Sequence, residues 1–345
     1  MKLLNKHFYS TTDYSKKELT YLIRLALQMK KQGGYETLLK GKSLATLFLN
    51  PSLRTRLSFA AAMAKLGGNT FDLPADGSYT LEFNNGVKMN DSTKEHIKEA
   101  AAVTSRYVDA IAIRASELVN NADSTPETGS WESLKQDKIF KGFMEYATVP
   151  IINMESNVYH PCQGIGDAMT IKEKLGNPKK KKYVLTWVYH PKALPMATPN
   201  SQLLSACDLG MNVVVVHPKG WELDKGILKV MEQKAKKAGG NFQVSHSQKE
   251  AFKEADVICV KSWGALKFYG NWEKEKKIRE QHKDWIVTQE KMVKTNNAIF
   301  MHCLPVRRNV EVTDEVIDSK NSVVIDEAEN RMWAQMAILR SLIKS

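Results

Sequence analysis

Three short segments of the chain carry side chains suited to binding and activating a small anion. In the first, residues 52–56, the hydroxyl groups of Ser52 and Thr55 lie beside the guanidinium groups of Arg54 and Arg56. Ser52 is a natural helix N-cap, so free backbone N–H groups and the positive end of a helix dipole would meet these side chains. Arginine suits bidentate phosphate recognition, and its charge does not depend on physiological pH. The segment predicts a phosphate site; a capped helix whose arginines face water is the alternative.

The second and third segments both contain histidine. Residues 160–163 read His-Pro-Cys-Gln, with Pro161 suited to the first turn of a helix. His160 and Gln163 would then lie at the carboxyl edge of a sheet, where open α/β folds bind ligands, although a structural histidine is the alternative. Residues 301–308 end a predicted strand on a thiol, Cys303, and a pair of arginines. A small buried hydrophobic side chain is the alternative for Cys303.

An alternation of strands and helices must position these segments. Ser15 and Glu18 form a capping-box pattern ahead of an apolar stripe at helical spacing. Apolar runs predict strands at 43–49, 149–154, 183–189, 213–216, 257–260, 299–304 and 323–325. Helical spacing predicts helices at 54–66, 162–175, 201–209, 224–238 and 330–345. The alternation indicates an α/β fold of two similar-sized domains, each a mainly parallel sheet flanked by helices, with a boundary near residues 155–160.

Composition limits the class of protein. The 345 residues are 43% apolar, which is enough to bury a large core without disulfides or metal. Four widely spaced cysteines form no C-x-x-C pair, so neither a zinc ribbon nor a disulfide framework is indicated. We find no signal peptide and no apolar window long enough for a membrane span. These features predict a soluble cytoplasmic protein without a membrane partner.

The net charge of +12 raises two other classes of function. A nucleic-acid-binding protein should interleave aromatic and basic residues, whereas the lysine run at 179–182 has no such pattern. This remains a remote alternative, and we expect no nucleic-acid partner. A nicotinamide-dependent dehydrogenase is disfavoured because Gly164 and Gly166 lack a third glycine at the required spacing.

Taken in chain order, the Ser-x-Arg-Thr-Arg, His-Pro-x-Gln and His-Cys-Leu-Pro elements resemble those of the transcarbamylases, the aspartate and ornithine carbamoyltransferase family. The resemblance extends over nearly the whole chain. It implies a carbamoyl-phosphate-binding domain at 1–158, completed by a closing helix at 331–345 that packs back on it. It implies an amino-acid-binding domain at 159–330, a homotrimer with shared active sites, and no metal or redox cofactor.

The resemblance also implies the residues of a carbamoyl phosphate site. They are Ser52, Leu53, Arg54, Thr55, Arg56, Tyr79, Arg114, His160, Gln163 and Arg331, with Tyr79 contributed by a neighbouring subunit. Arg54, Thr55, Arg114 and His160 would stabilise charge on the carbonyl and leaving-group oxygens, and Cys303 would be a further catalytic residue.

The acceptor is indicated by a departure within the family. Ornithine enzymes place an aspartate where this chain has Lys261, which would repel an α-ammonium group but pair with an α-carboxylate. This favours an acceptor whose α-nitrogen is acylated. The chain most resembles the subgroup that carbamoylates N-acetylornithine in arginine biosynthesis, with N-succinylornithine as the alternative acceptor. The implied acylornithine site is Lys94, Glu155, Lys261, Cys303, Leu304, Arg307 and Glu311.

Three positions depart from that subgroup. Lys94 stands where the acetylornithine enzymes usually have Glu and the succinylornithine relative has Pro, so it could pair with a succinyl carboxylate or face solvent. Tyr79 replaces a usual Trp. Glu311 takes a position where some relatives have a lysine, and its carboxylate could serve the same electrostatic role. Lys94 and Tyr79 are expected to lie near the active site of a neighbouring subunit.

Overall fold

A computed structural model describes residues 3–4, 6–33, 35, 37–74, 80–90, 92–116 and 130–344, with the side chain of residue 74 outside the description. Two compact units divide the chain. Of the described residues, those up to 116 together with 132–162 and 331–344 form the first unit, and 130–131 and 163–330 form the second. Tyr79 lies outside the described residues.

Each unit is built on a parallel sheet. The strands of the first unit are β1 Ser43–Phe48, β2 Asn69–Pro74, β3 Leu81–Glu82, β4 Glu95–His96, β5 Ala110–Arg114 and β6 Ile151–Glu155. Those of the second are β7 Lys182–Trp187, β8 Asn212–Val216, β9 Asn241–Ser245, β10 Val257–Lys261 and β11 Ile299–Met301. Within the described residues the main sheets run in the order β2-β1-β5-β6 and β11-β10-β7-β8-β9, and all pairings are parallel.

Helices flank both sheets. They are α1 Lys16–Gln32, α2 Leu53–Lys65, α3 Ile97–Tyr107, α4 Trp131–Leu134, α5 Lys138–Tyr146, α6 Pro161–Leu175, α7 Ala197–Asp208, α8 Lys225–Ala238, α9 Gln248–Phe252, α10 Trp272–Arg279, α11 Gln289–Met292, α12 Asp314–Ile317 and α13 Val324–Leu342. The inner strands β1, β5, β7, β8 and β10 are buried along most of their length, as expected of sheets covered on both faces. The predicted fold class is confirmed.

Local sequence signals explain two helix starts on the way to the site. The Ser15 hydroxyl accepts the N–H of Glu18, and the Glu18 carboxylate accepts the N–H of Ser15, which is the predicted capping box. Ser52 caps α2 in the predicted way, its hydroxyl accepting the N–H of Thr55 at 3.4 Å.

The C-terminal helix belongs to the first unit from Arg331 onward. The backbone N–H of Leu3 donates to the carbonyl of Ser341 at 3.1 Å, and the Lys65 ammonium lies 5.9 Å from the centre of the Trp333 ring. The predicted return of this helix to the N-terminal domain is confirmed.

The start of that helix was predicted wrongly. The apolar run at 323–325 is not a strand, because α13 begins at Val324, six residues before the predicted start. Only Ser322 pairs with Phe300, as an isolated bridge, and the N–H of Val323 donates to the carbonyl of Phe300. Asp326 and Glu327 in the first turn suit the positive end of a helix better than an edge strand.

Among the described helices, none combines the length and apolar character that a bilayer span requires.

Candidate active site

The carboxyl ends of three adjacent strands carry the first group of predicted site residues. β1 leads through Asn50 and Pro51 into the N-terminus of α2, β5 ends on Arg114, and β6 leads through Glu155 toward His160. The Asn50 side chain accepts the N–H of Ser116 at 2.7 Å and so links the segments after β1 and β5. Parallel strands thus bring these residues to one edge of the sheet of the first unit.

The hydroxyl of Thr55 lies in the first turn of α2 and contacts the C-terminal helix. Thr55 is buried, and its oxygen accepts a hydrogen bond from Nη2 of Arg331 at 3.0 Å. Arg54, in the same helical turn, is partly buried. Since the Thr55 oxygen accepts from Arg331, its own proton can be donated to an anion at the helix N-terminus.

A second contact within the unit joins Arg114 to Glu155. Their side chains form an ion pair with both groups largely shielded from solvent, and Nε2 of His160 lies 4.0 Å from the Glu155 carboxylate. The structure therefore groups three residues that the resemblance assigned to two different ligands, Arg114 and His160 to the phosphate donor and Glu155 to the acceptor.

Arg56 and Leu53 lie apart from that group. The Arg56 guanidinium pairs with Asp72 of β2 at 3.1 Å and stacks on the Phe48 ring, 4.5 Å from its centre. The Leu53 side chain is exposed, which leaves its backbone N–H as the group suited to an anion. Lys94 is exposed as well, just before the short strand β4.

In the second unit, the neighbouring strands β7, β10 and β11 end beside one another. Lys261 is the last residue of β10, and β11 leads through His302 and Cys303 to Leu304, before Arg307. Lys261, Cys303 and Leu304 are partly buried, whereas Arg307 is exposed. The peptide bond between Leu304 and Pro305 is cis.

Glu311 carries a buried carboxylate that interacts with Lys261 and with the backbone of Arg307. It accepts the backbone N–H of Arg307 at 2.7 Å and lies 3.7 Å from Nε2 of His302. Burial alone would raise the pKa of Glu311, but His302, the Lys261 ammonium and the Arg307 N–H favour the carboxylate and lower the pKa to about 2. Glu311 thus supplies a fixed negative charge next to Lys261.

The loop that follows Lys261 is held by a buried ion pair on α10. Arg279 donates to Glu275 at 2.9 Å, to the hydroxyl of Ser262 at 3.0 Å and to the carbonyl of Trp263 at 3.0 Å. Glu275 in turn accepts the N–H of Ala265 at 3.2 Å. Because both groups of this buried ion pair also hydrogen-bond the loop, the pair is suited to holding the loop in a single conformation.

Gln163 and Glu327 form another buried contact in the second unit. Nε2 of Gln163 donates to Asp167 at 2.6 Å and to Glu327 at 3.1 Å, and Glu327 accepts the N–H of His302 at 2.9 Å. Because carboxylates only accept, the Gln163 amide must turn its nitrogen toward them and its oxygen away. No described residue hydrogen-bonds that buried oxygen.

Sequence reasoning missed several of these residues. Asp167, His190, Arg279 and Glu327 were not singled out, although His190 follows β7 at the sheet edge where the other strands carry site residues. Position after a strand was the available signal for His190. Asp167 and Arg279 each pair with a side chain four residues earlier on the same helix, and that spacing was an available signal. Glu327 bonds Gln163 and His302, which are distant in sequence, and no local pattern indicates those contacts.

The fold and the grouped residues define a class of protein, and comparison with known families agrees. Residues 6–173 match the model described as "Aspartate/ornithine carbamoyltransferase, carbamoyl-P binding domain", and residues 196–342 match "Aspartate/ornithine carbamoyltransferase, Asp/Orn binding domain". The chain belongs to the aspartate/ornithine carbamoyltransferase family, as predicted from its sequence.

The chain is also similar, over most of its length, to individual members of this family. The N-acetylornithine carbamoyltransferase of Xanthomonas campestris pv. campestris is 45% identical over 343 residues, covering 98% of each chain. The N-succinylornithine carbamoyltransferase of Bacteroides thetaiotaomicron is 38% identical over 317 residues, covering 90% of each. A crystal structure of acetylornithine transcarbamylase complexed with acetylcitrulline superposes with a TM-score of 0.93 at 44% identity, covering 99% of this chain and 100% of that one.

Proposed function

We propose that this chain transfers the carbamoyl group of carbamoyl phosphate to the side-chain amine of N-acetyl-L-ornithine, giving N-acetyl-L-citrulline and phosphate in arginine biosynthesis. The observation that carries the acceptor assignment is Lys261, a cation at the end of β10 with Arg307 following the neighbouring strand β11. Two cations suit an α-carboxylate and disfavour a free α-ammonium group. The 45% identity to an N-acetylornithine enzyme supports the same acceptor.

The first unit is proposed to bind the donor. The N-terminus of α2 offers backbone N–H groups, the Thr55 hydroxyl and the Arg54 guanidinium to the phosphate, and Arg331 adds a further positive charge next to Thr55. Arg114 and His160 suit the carbonyl oxygen of the carbamoyl group. The residues assigned to the donor in the first unit are Ser52, Leu53, Arg54, Thr55, Arg56, Arg114, His160 and Arg331. The resemblance assigns two more residues to the donor: Gln163, which belongs to the second unit, and Tyr79, which lies outside the described residues.

The reaction follows from this arrangement of charges. The nitrogen lone pair of the neutral amine attacks the carbamoyl carbon, and the carbonyl oxygen becomes an oxyanion. The carbonyl then re-forms as the bond to the phosphate oxygen breaks with its electron pair, and the nitrogen, made cationic by the attack, loses a proton to the departing phosphate. Positive groups held in place before the reaction stabilise both the oxyanion and the leaving phosphate. Because an alkyl ammonium has a pKa near 10.4, only about one amine in a few thousand is neutral at pH 7, so the site must favour the deprotonated nucleophile.

The second unit is proposed to bind the acceptor through Lys261, Cys303, Leu304 and Arg307, with Glu311 behind them. Glu155 of the first unit is assigned to the N–H of the acylated α-nitrogen. Glu155 pairs with Arg114, and a carboxylate has lone pairs for more than one donor, so it can also accept that N–H.

We propose acetyl rather than succinyl as the acyl group. The N-succinylornithine relative is 38% identical to this chain, whereas the N-acetylornithine relative is 45% identical. Lys94 opposes this preference because an exposed ammonium would attract the carboxylate of a succinyl group. Succinylornithine therefore stays the alternative acceptor.

We also propose that the chain forms a homotrimer and acts in the cytoplasm. Exposed apolar side chains on α2 and on the edge strand β2, Leu53, Leu57, Phe71 and Leu73, favour self-association, through which Tyr79 and Lys94 would serve a neighbouring site. All four cysteines are free thiols, which favours a reducing compartment.

The test uses the purified chain with carbamoyl phosphate and N-acetyl-L-ornithine, following phosphate release and identifying the product by mass spectrometry. Formation of N-acetylcitrulline is expected. Lys261→Met should raise the KM for the acceptor by about 10- to 100-fold, the cost of losing a hydrogen bond to a charged group, with the KM for carbamoyl phosphate unchanged. No carbamoylated product from the wild-type chain would overturn the proposal.

A further inference from the structure

His190 and Arg307 meet across the carboxyl edge of the second sheet. His190 follows β7, the central strand, and is buried, whereas Arg307 follows the edge strand β11 and is exposed. Nε of Arg307 lies 2.9 Å from Nε2 of His190. A buried imidazole thus holds the inner nitrogen of an exposed guanidinium.

The contact fixes the protonation state of His190. A guanidinium nitrogen can only donate, so Nε2 must accept and carries no proton. Nδ1 lies 2.8 Å from the carbonyl oxygen of Lys192 and 3.0 Å from its backbone nitrogen. With Nε2 accepting from Arg307, the single proton of the neutral ring is on Nδ1 and is donated to the carbonyl, so the Lys192 N–H does not bond this nitrogen. The ring is therefore held from both sides as one neutral tautomer.

The same contact leaves the two terminal nitrogens of Arg307 for a ligand. Among the described residues, the His190 imidazole is the side chain that hydrogen-bonds this guanidinium. An exposed arginine without such an anchor samples many rotamers, and ordering it on binding costs free energy. Anchored at Nε, Arg307 presents Nη1 and Nη2 as a preformed fork for a carboxylate.

We propose that His190 is a positioning residue for the acceptor: as a neutral imidazole it orients Arg307 toward the α-carboxylate of the acylated ornithine. This inference depends on the proposed function, in which Arg307 and Lys261 bind that carboxylate. His190 itself need not touch the substrate.

The neighbouring charges give the inference a pH dependence. Burial lowers the pKa of His190 most, the Lys192 carbonyl and the Glu311 carboxylate oppose it, and the Lys261 and Arg307 cations lower it further. The ring is thus neutral at physiological pH. Protonation in acid removes the acceptor at Nε2 and places a cation beside Arg307, so binding of the acceptor weakens while binding of carbamoyl phosphate does not.

Two substitutions of His190 distinguish the role of Nε2 from that of Nδ1. The amide of His190→Gln reaches about as far as Nε2 and can accept from Arg307 at any pH, whereas the shorter amide of His190→Asn reaches only the position of Nδ1. His246→Gln is the matched control, because His246 follows β9 of the same sheet and bonds the carbonyl of His217.

Three quantities are measured from pH 5 to 8 in the full-length protein. They are the KM for carbamoyl phosphate, the KM for N-acetyl-L-ornithine, and the Kd for N-acetyl-L-norvaline, which lacks the titrating amine. At pH 8, His190→Asn should raise the acceptor KM and the norvaline Kd by about tenfold, with the carbamoyl phosphate KM within twofold of wild type. His190→Gln should bind nearly normally and lose the weakening seen in wild type at acid pH.

Equal acceptor affinity in wild type and His190→Asn would overturn the inference, as would an acid-side weakening that persists in His190→Gln. If His190→Asn fails to fold, the pH profile of His190→Gln alone decides. A wild-type chain that turns over no N-acetylornithine would contradict the proposed function instead, so the two failures are distinguishable.

Discussion

Arg331 donates a hydrogen bond from Nη2 to the hydroxyl oxygen of Thr55, 3.0 Å away, and thereby joins α13 to the first turn of α2. The two residues belong to opposite ends of the chain and to the same compact unit. Since Thr55 accepts from Arg331, its proton is directed to another acceptor, and a phosphate at the helix N-terminus is well placed to be one.

The phosphate site predicts unequal roles for two nearby arginines. Arg54→Ala should lower kcat by about 10²- to 10³-fold, the typical cost of removing one group that stabilises developing charge, while the protein stays folded. Arg56→Ala should cost much less, because Arg56 pairs with Asp72 and stacks on Phe48. Steady-state kinetics with circular dichroism check both. Near-normal turnover by Arg54→Ala would contradict the assignment.

Lys94 should influence the choice of acyl group. Lys94→Glu replaces a charge that attracts a succinyl carboxylate with one that repels it, so the ratio of kcat/KM for acetyl over succinyl substrates should rise by about tenfold. Lys98→Glu, also exposed and in the first turn of α3, is the control. An unchanged ratio in Lys94→Glu would show that this side chain does not contact the acyl group.

Glu311 should stabilise the fold in a pH-dependent way. Its pKa in the folded chain, about 2, lies below the ordinary 4.5, so the stability it contributes is present above pH 4.5 and is lost as the pH falls toward 2. At pH 7 Glu311→Gln should lose on the order of 3 kcal/mol, and less at pH 3. Urea unfolding at both values measures the difference, with the exposed Glu315→Gln as control. An equal loss at both pH values would contradict a titrating role.

Self-association should depend on the apolar surface of the first unit. Leu57 and Phe71 are 62% and 55% exposed, respectively, and burial of both against another subunit would contribute roughly 2 to 4 kcal/mol per interface. Phe71→Glu should shift the species observed by light scattering from trimer toward monomer and reduce activity with it. Val244→Glu, on the exposed edge strand β9 of the other unit, is the control. A monomeric wild-type chain with full activity would refute the trimer.

Local sequence information predicted those parts of the fold that depend on local interactions. The Ser15 and Ser52 caps appear where expected because a hydroxyl and an N–H three residues on are sufficient to form them. The strands that position the site are apolar runs buried on both faces. The edge strand β9 lacks that signal and was not predicted, because it carries polar side chains and three of its five residues are exposed.

The contacts between site residues could not be predicted from the sequence, because they join residues that are distant along the chain. Arg114 and Glu155 both end strands, but their ion pair follows from the pairing of β5 with β6 and not from any motif. Likewise the short run at 323–325 could not be told from a strand, because three apolar residues carry no period and the acidic first turn of α13 decided the outcome.

The central claim concerns the acceptor, and one competition assay tests it most directly. Equimolar ornithine, N-acetylornithine and N-succinylornithine are mixed with limiting carbamoyl phosphate, and the three citrulline products are quantified by mass spectrometry. The account predicts N-acetylcitrulline as the main product, a smaller amount of N-succinylcitrulline, and citrulline near background, because Lys261 disfavours a free α-ammonium group. Citrulline as the main product would contradict it.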